Sequence, residues 1–110
     1  MREDSMAWTY LILAGLLEIG WPIGLKLGWT ESGPRPLWLG FAVLCIILSG
    51  SFLLQAQRVI PMGTAYAVWT GIGAAGTFVV GIVAFGDAVS MLRIASAGLI
   101  IAGVVGLKFA

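Results

Sequence analysis

Four long apolar segments, separated by short polar breaks, account for almost the whole chain. They cover residues 7–27, 37–56, 62–85 and 89–109. Each has the roughly 20 residues that an α-helix needs to cross a bilayer hydrocarbon core about 30 Å thick. Because backbone polar groups inside lipid must be satisfied within the segment, we predict an all-α integral membrane protein whose single domain, residues 1–110, has four transmembrane helices.

The breaks between these segments are short enough to fix the helix directions. The longest break is residues 28–36, the second is residues 58–63, and the third is residues 86–88. Either Asp87 or Ser90 is able to cap the fourth helix. Short connections make consecutive helices antiparallel, and four crossings bring both termini to one face of the membrane.

Composition excludes several classes of protein. Of the 110 residues, 60% are hydrophobic and only 10% are charged, whereas about 25% are charged in an ordinary soluble domain. The chain has no histidine, and its lone Cys45 has no partner for a disulfide, so we expect no metal site and no cofactor. Neither a pair of nucleophile and base nor a strongly basic segment is present, so we expect neither an enzyme nor a nucleic-acid partner.

The basic residues give no preferred orientation in the membrane. Three lie on the face of the termini and three on the opposite face, and an excess on one face is what normally directs insertion. If Met6 is the start, the count is two against three. A chain without this bias is able to insert both ways, and two opposed copies have the inverted symmetry that many transporters use. The face of the termini carries Arg2, Arg58 and Lys108, and the opposite face carries Lys26, Arg35 and Arg93.

Glu18 is the only charged residue between Ala7 and Leu25 in the first apolar segment. It lies 11 residues after Ala7, which at the helical rise places it roughly 16 Å deep, near the bilayer midplane. A charge there costs about 2.5–3.5 kcal/mol on insertion scales, so an ionisable residue at this depth indicates a transport or proton-relay site.

Residues near Glu18 on the same helical face have chemistry suited to such a site. Gly15 leaves room one turn before the carboxylate, and Trp21 places an indole beside it. Pro22 has no amide hydrogen, so the carbonyl of Glu18 loses its usual partner in the helix.

Three polar or aromatic residues in the next two helices are candidates for the same site. Ser49 either bonds its own helix, as serines within membrane spans usually do, or joins the site. Tyr66 and Trp69 are three residues apart and share a face, where they are able to orient a carboxylate and to flank a planar cation.

Small residues recur in the last two segments. Those of the third segment fit either close helix packing or a hinge, and those of the fourth, spaced by four, fit either dimerisation or packing within the chain. They are Gly71, Gly73 and Gly76 in the third segment and Gly98, Ala102 and Gly106 in the fourth.

Two stretches of the sequence are similar to a known family. GLLEIGWPIGLK, residues 15–26, and PMGTAYAVWTGIG, residues 61–73, resemble the small multidrug resistance family of four-helix exporters, and the resemblance extends over nearly the whole chain from Met6. Within that family, GTAYAVWTGIG and the position of Trp21 three residues after Glu18 resemble the guanidinium-exporter branch.

The resemblance implies an antiparallel, dual-topology homodimer that exchanges cations for protons across the inner (plasma) membrane. It implies that both Glu18 carboxylates bind substrate or proton in competition, and that a further set of residues surrounds them. That set is Gly15, Trp21, Ser49, Tyr66 and Trp69.

We therefore predict a proton-coupled exporter of guanidinium-type small cations, with protons, the lipid bilayer and a second copy of the chain as its partners. Export of quaternary ammonium and other lipophilic cations is the alternative within transport. A membrane scaffold whose Glu18 makes a structural hydrogen bond is the alternative outside it.

Overall fold

Four α-helices form nearly all of the structure. A computed structural model describes residues 2–110, with side chains described from Ser5 onward. All four helices are long and apolar enough to cross a membrane, which confirms the prediction of an all-α chain with four transmembrane helices. They are α1 (Arg2–Gly28), α2 (Pro36–Gln57), α3 (Met62–Phe85) and α4 (Met91–Phe109).

The break between α1 and α2 contains a small hairpin that the sequence pattern did not predict. Strands β1 (Trp29–Thr30) and β2 (Gly33–Pro34) pair antiparallel. Gly33 has φ +112°, a backbone conformation that glycine adopts without strain. The hydroxyl of Thr30 donates to the Gly33 carbonyl at 3.0 Å and closes the turn.

The break between α3 and α4 is a glycine-terminated turn followed by a capped helix. Gly86 has φ +69°, and the amide of Asp87 donates back to the Gly81 carbonyl at 2.9 Å. The hydroxyl of Ser90 accepts a backbone N–H at 3.2 Å, so Ser90 rather than Asp87 caps α4. For this reason α4 begins at Met91, two residues beyond the expected start of the fourth segment.

Helices α1 and α2 approach closely along a row of glycines. Gly20, Gly24 and Gly28 are spaced by four and face α2. A Cβ atom at Gly24 would lie 2.9 Å from the Cβ of Ala42 and 3.0 Å from the carbonyl oxygen of Trp38. The helices therefore pack backbone against backbone, as small residues spaced by four allow in membrane proteins.

Helix α1 packs against α2 and α3, whereas α4 contacts mainly α3. The apolar core lies near the end of the bundle that carries the termini, where α1 meets the end of α2 and the start of α3. Its buried members are Ala7, Leu11, Ala56, Ile60, Ala65 and Val68.

Helix α4 buries no residue among those that the structure describes. Gly71 of α3 receives the side chain of Val104, but a Cβ atom at Gly98 or Gly106 would have no neighbour within 4 Å in the described part of the chain. Ala102 is exposed as well. These three small residues therefore do not serve packing within the single chain, and their role in a dimer stays a prediction.

We expect Gly24→Val to destabilise the fold and Gly40→Val to leave it nearly unchanged. Position 24 has no space for a side chain, whereas a Cβ atom at Gly40 would meet nothing within 4 Å in the described residues. Overpacking of this kind costs about 1–3 kcal/mol, and the change in helix propensity from glycine to valine is common to both variants. Thermal unfolding in detergent followed by circular dichroism measures the difference. Equal midpoints would contradict the close contact between α1 and α2.

Candidate functional site

The side chain of Glu18 lies against α3 at a position where α3 has no side chain. A Cβ atom at Gly73 would lie 2.6 Å from the Cγ of Glu18, so only glycine leaves space for the glutamate there. The sequence pattern suggested packing or a hinge for Gly73. In the structure α3 runs unbroken through this position, and the glycine accommodates Glu18.

Trp21 is the hydrogen-bond partner of Glu18. Its indole Nε1–H donates to the Oε1 of Glu18 at 2.6 Å, across the three-residue spacing that puts both on one helical face. A donor bonded to a carboxylate in partly buried surroundings restricts its orientation. The helix thus supplies both the charged group and the group that orients it.

An open groove between α1 and α3 exposes this pair. Its volume is about 350 Å³. No basic side chain lies among its lining residues, so a cation that enters meets one carboxylate and no competing positive charge. The lining residues are Glu18, Trp21, Pro22, Thr70, Gly73, Ala74 and Thr77.

Ser49 is fully buried and links three helices. Its hydroxyl donates to the carbonyl of Ala14 in α1 at 2.7 Å and accepts from the Nε1–H of Trp69 in α3 at 2.8 Å. Of the two alternatives that the sequence left open for Ser49, a bond to its own helix is therefore not the one in the structure. Ser51 does bond its own helix, since its hydroxyl donates to the Ile47 carbonyl four residues earlier.

Trp69 and Tyr66 precede Gly73, the α3 residue against Glu18, by four and seven residues, or about one and two helical turns. Their ring centroids are 5.4 Å apart, and the side chain of Tyr66 is 56% exposed. Ala14, which anchors the bond from Ser49, precedes Glu18 by four residues, or about 6 Å of helix. Within the described chain, no hydrogen bond joins Ser49 or Tyr66 to Glu18, so the candidate residues form two adjacent groups.

Gly15 of α1 and Gly76 of α3 serve close contact between these two helices. A Cβ atom at Gly15 would lie 2.7 Å from the Cβ of Ile72, so the space that the glycine leaves is filled by that side chain. Gly76 similarly faces Ile19 of α1. Gly15 therefore brings α1 and α3 together beside the groove and leaves no room next to the carboxylate itself.

Thr70 and Thr77 also line the groove, although the sequence pattern indicated neither of them. Both lie on the face of α3 that begins at Tyr66, at the three- and four-residue spacing of a helix. The hydroxyl of Thr70 donates to the Tyr66 carbonyl at 2.8 Å. Continuing that face by two turns beyond Thr70 leads to Gly73 and Thr77, so helical spacing alone places both on the same side of α3.

Residues 6–100 match the family model described as Small Multidrug Resistance protein. The chain belongs to the small multidrug resistance family. This confirms the resemblance seen in the two sequence stretches, and the match includes the Glu18 groove and the contact between α1 and α2.

Three curated relatives extend over nearly the full chain, and each is named "Guanidinium exporter". The relative from Yersinia pseudotuberculosis is 50% identical over 106 residues, which is 96% of this chain and 99% of the relative. That from Citrobacter freundii is 47% identical over 105 residues, 94% of this chain and 96% of the relative. That from Escherichia coli K12 is 45% identical over 103 residues, with the same coverage of 94% and 96%.

Family membership and the four spans make this small multidrug resistance protein a multi-pass protein of the inner membrane. Its relatives are named as exporters, which are transporters and not enzymes. On that ground the prediction that the chain is not an enzyme is confirmed.

We expect Ser49→Ala to destabilise the protein and Ser51→Ala to have little effect. The first change leaves the part-buried indole N–H of Trp69 without its acceptor and removes the bond from α2 to the Ala14 carbonyl, which costs about 1–3 kcal/mol. The second removes an exposed hydroxyl that bonds its own helix. Thermal unfolding of both variants in the same detergent gives the comparison. A Ser49→Ala midpoint equal to that of Ser51→Ala would show that the link between the three helices contributes nothing.

Proposed function

We propose that this protein exports guanidinium-type small cations in exchange for protons, with Glu18 as the shared binding group. The observation that carries the proposal is the Glu18 carboxylate, oriented by Trp21 in an open groove without a basic lining residue. The names of its relatives support the same substrate.

Guanidinium fits the chemistry of this pair. The cation is planar and presents a fork of N–H donors that matches the two oxygens of a carboxylate. The Trp21 indole uses one lone pair on one oxygen, which leaves acceptor capacity on both oxygens of Glu18 for the cation. The faces of aromatic rings also attract planar cations, so the indole is able to bind the ligand as well as to orient the carboxylate.

Competition between proton and guanidinium for Glu18 couples proton import to guanidinium export. A protonated carboxylate has no negative charge to hold guanidinium, and a carboxylate bound to guanidinium does not accept a proton. Each crossing of the membrane then carries either proton or cation. Export follows when the proton gradient favours protonation from outside.

We further propose that two copies insert in opposite orientations and pair their Glu18 carboxylates in one cavity. The balanced basic residues support this arrangement because they direct neither orientation. The exposed small residues of α4, at Gly98, Ala102 and Gly106, provide a surface for the contact. The exposed ring of Tyr66 is then available to the carboxylate of the second copy.

Alternating access follows from rocking such a dimer so that the shared cavity opens to one face and then to the other. Gly71, Gly73 and Gly76 lie in the helix that forms one wall of the groove and contacts both α1 and α4. We propose that they allow α3 to shift against these neighbours during the change.

A competition experiment between the two cations tests whether the substrate is guanidinium or a quaternary ammonium compound. A quaternary ammonium ion has no N–H donor, so it gains nothing from the oriented carboxylate beyond charge and ring contact. Guanidinium should therefore displace an alkyltrimethylammonium ion from the purified protein. Displacement only in the opposite direction would move the assignment to lipophilic cations.

We expect Glu18→Gln to abolish proton-coupled guanidinium transport and Glu31→Gln to preserve it. Glutamine keeps the size of the side chain but carries neither charge nor an exchangeable carboxyl proton. Glu31 is exposed in the turn between β1 and β2, outside the groove. Currents evoked by guanidinium in proteoliposomes on a solid-supported membrane measure both variants. Wild-type currents in Glu18→Gln would exclude this function, and a wild-type protein without any current would favour the scaffold.

We expect Trp21→Phe to weaken guanidinium binding at least about tenfold, because a hydrogen bond to a charged group contributes about 1.5–3 kcal/mol. Phenylalanine keeps an aromatic face but loses the donor to Glu18. Trp29→Phe is the matched control, since Trp29 is 69% exposed in β1. Isothermal titration with guanidinium gives both affinities. An unchanged affinity in Trp21→Phe would show that the indole donor does not orient the carboxylate for binding.

A further inference from the structure

The Glu18 groove has a narrow extension toward the end of the bundle that carries the hairpin. The extension has a volume of about 120 Å³ and shares two lining residues, Pro22 and Thr77, with the groove. Positions 18, 22 and 26 of α1 are spaced by four, so the distance from the carboxylate to Lys26 is about 12 Å along the helix. The two spaces are therefore neighbours along α1 and α3, and we call the pair the path.

This path ends at three residues of contrasting chemistry, which we call the mouth: Lys26 of α1, Phe85 at the end of α3, and Asp87 in the following turn. They lie on the same side of the bundle because α1 and α3 run parallel. Thr77, between the mouth and Glu18, contributes a hydroxyl to the lining.

The position of Asp87 is fixed by local backbone geometry. Gly86 turns the chain through a positive φ, and the amide of Asp87 donates to the Gly81 carbonyl. The carboxylate then folds back over Gly81, where a Cβ atom would clash with its Oδ2. Because Ser90 caps α4, the Asp87 carboxylate is not used as a helix cap.

Lys26 is held by an aromatic ring. Its Nζ lies 4.9 Å from the centroid of Phe85, within the range of a cation–π interaction. A free ammonium in the mouth would repel an entering cation or neutralise Asp87. The ring of Phe85 gives that ammonium a different partner.

We propose that Asp87 is a first binding station for the transported cation at the mouth, and that Phe85 keeps Lys26 from neutralising it. The proposal rests on the function proposed above, in which guanidinium reaches Glu18 through the groove. Asp87 offers the same carboxylate chemistry as Glu18 at the point where the path meets water. In an antiparallel dimer one mouth would open at each face of the membrane.

The first test compares Asp87→Asn with Glu31→Gln in proteoliposomes. Both changes remove one negative charge from the same membrane face, but only Asp87 lines the path. Since a local charge steers ligands into a cleft, we expect the KM for guanidinium to rise roughly three- to tenfold in Asp87→Asn, with the maximal rate retained, and to stay at the wild-type value in Glu31→Gln. Equal KM values in the two variants would overturn the proposal, as would a loss of maximal rate at unchanged KM in Asp87→Asn.

The second test removes the Phe85 ring that contacts the ammonium group of Lys26. Phe85→Leu should raise KM as Asp87→Asn does, because the freed ammonium then pairs with Asp87. The double variant Phe85→Leu with Lys26→Gln should return KM to near the wild-type value. A raised KM that persists in the double variant, or no rise in Phe85→Leu, would overturn the role of the ring.

The two proposals fail in different ways. A wild-type protein without guanidinium current rejects the proposed function together with the mouth. A wild-type protein that transports guanidinium, with equal KM values in Asp87→Asn and Glu31→Gln, rejects the mouth alone.

Discussion

Helix α1 carries the membrane glutamate and also the glycines that bring two neighbouring helices against it. On one side Gly20, Gly24 and Gly28 allow backbone contact with α2, and on another Gly15 receives Ile72 of α3. In lipid the hydrophobic effect does not drive helices together, so such close contact is a main source of association. The groove of Glu18 exists because α3 is held at this distance while Gly73 leaves space for the side chain.

Two hydrogen-bonded groups inside this bundle differ in role: one connects the helices, and the other is open to a ligand. Ser49 and Trp69 satisfy each other and the Ala14 carbonyl, and so hold α1, α2 and α3 together. Among the described residues, the Glu18 carboxylate has one hydrogen-bond partner, Trp21 of its own helix, and it lies in an open groove. The Ser49 hydroxyl is fully buried, whereas the Glu18 carboxylate retains acceptor capacity for a ligand in an open groove. The two groups are adjacent along α1 but have different tasks.

Most of the fold was predictable because the membrane restricts the possible structures. The lengths of the apolar segments and the shortness of the breaks indicated four antiparallel helices, and the structure contains them. The hairpin at β1 and β2 was missed, because a pairing of two residues on each strand leaves no periodic signal. The start of α4 was placed too early, because Asp87 and Ser90 are both good caps and only the backbone turn at Gly86 selects between them.

The sequence by itself determined the class of protein, the number of spans and the presence of one costly carboxylate near the midplane, since each depends only on composition and helical spacing. It also placed Trp21 beside Glu18, because three residues make most of one helical turn. Only the tertiary structure decided the contacts between helices: Ser49 reaches Ala14 instead of its own helix, Gly73 accommodates the glutamate, and Asp87 comes to the same path as Lys26. The reason is that rotation and spacing of one helix against another depend on which small residues meet, and that information is distributed over distant parts of the chain.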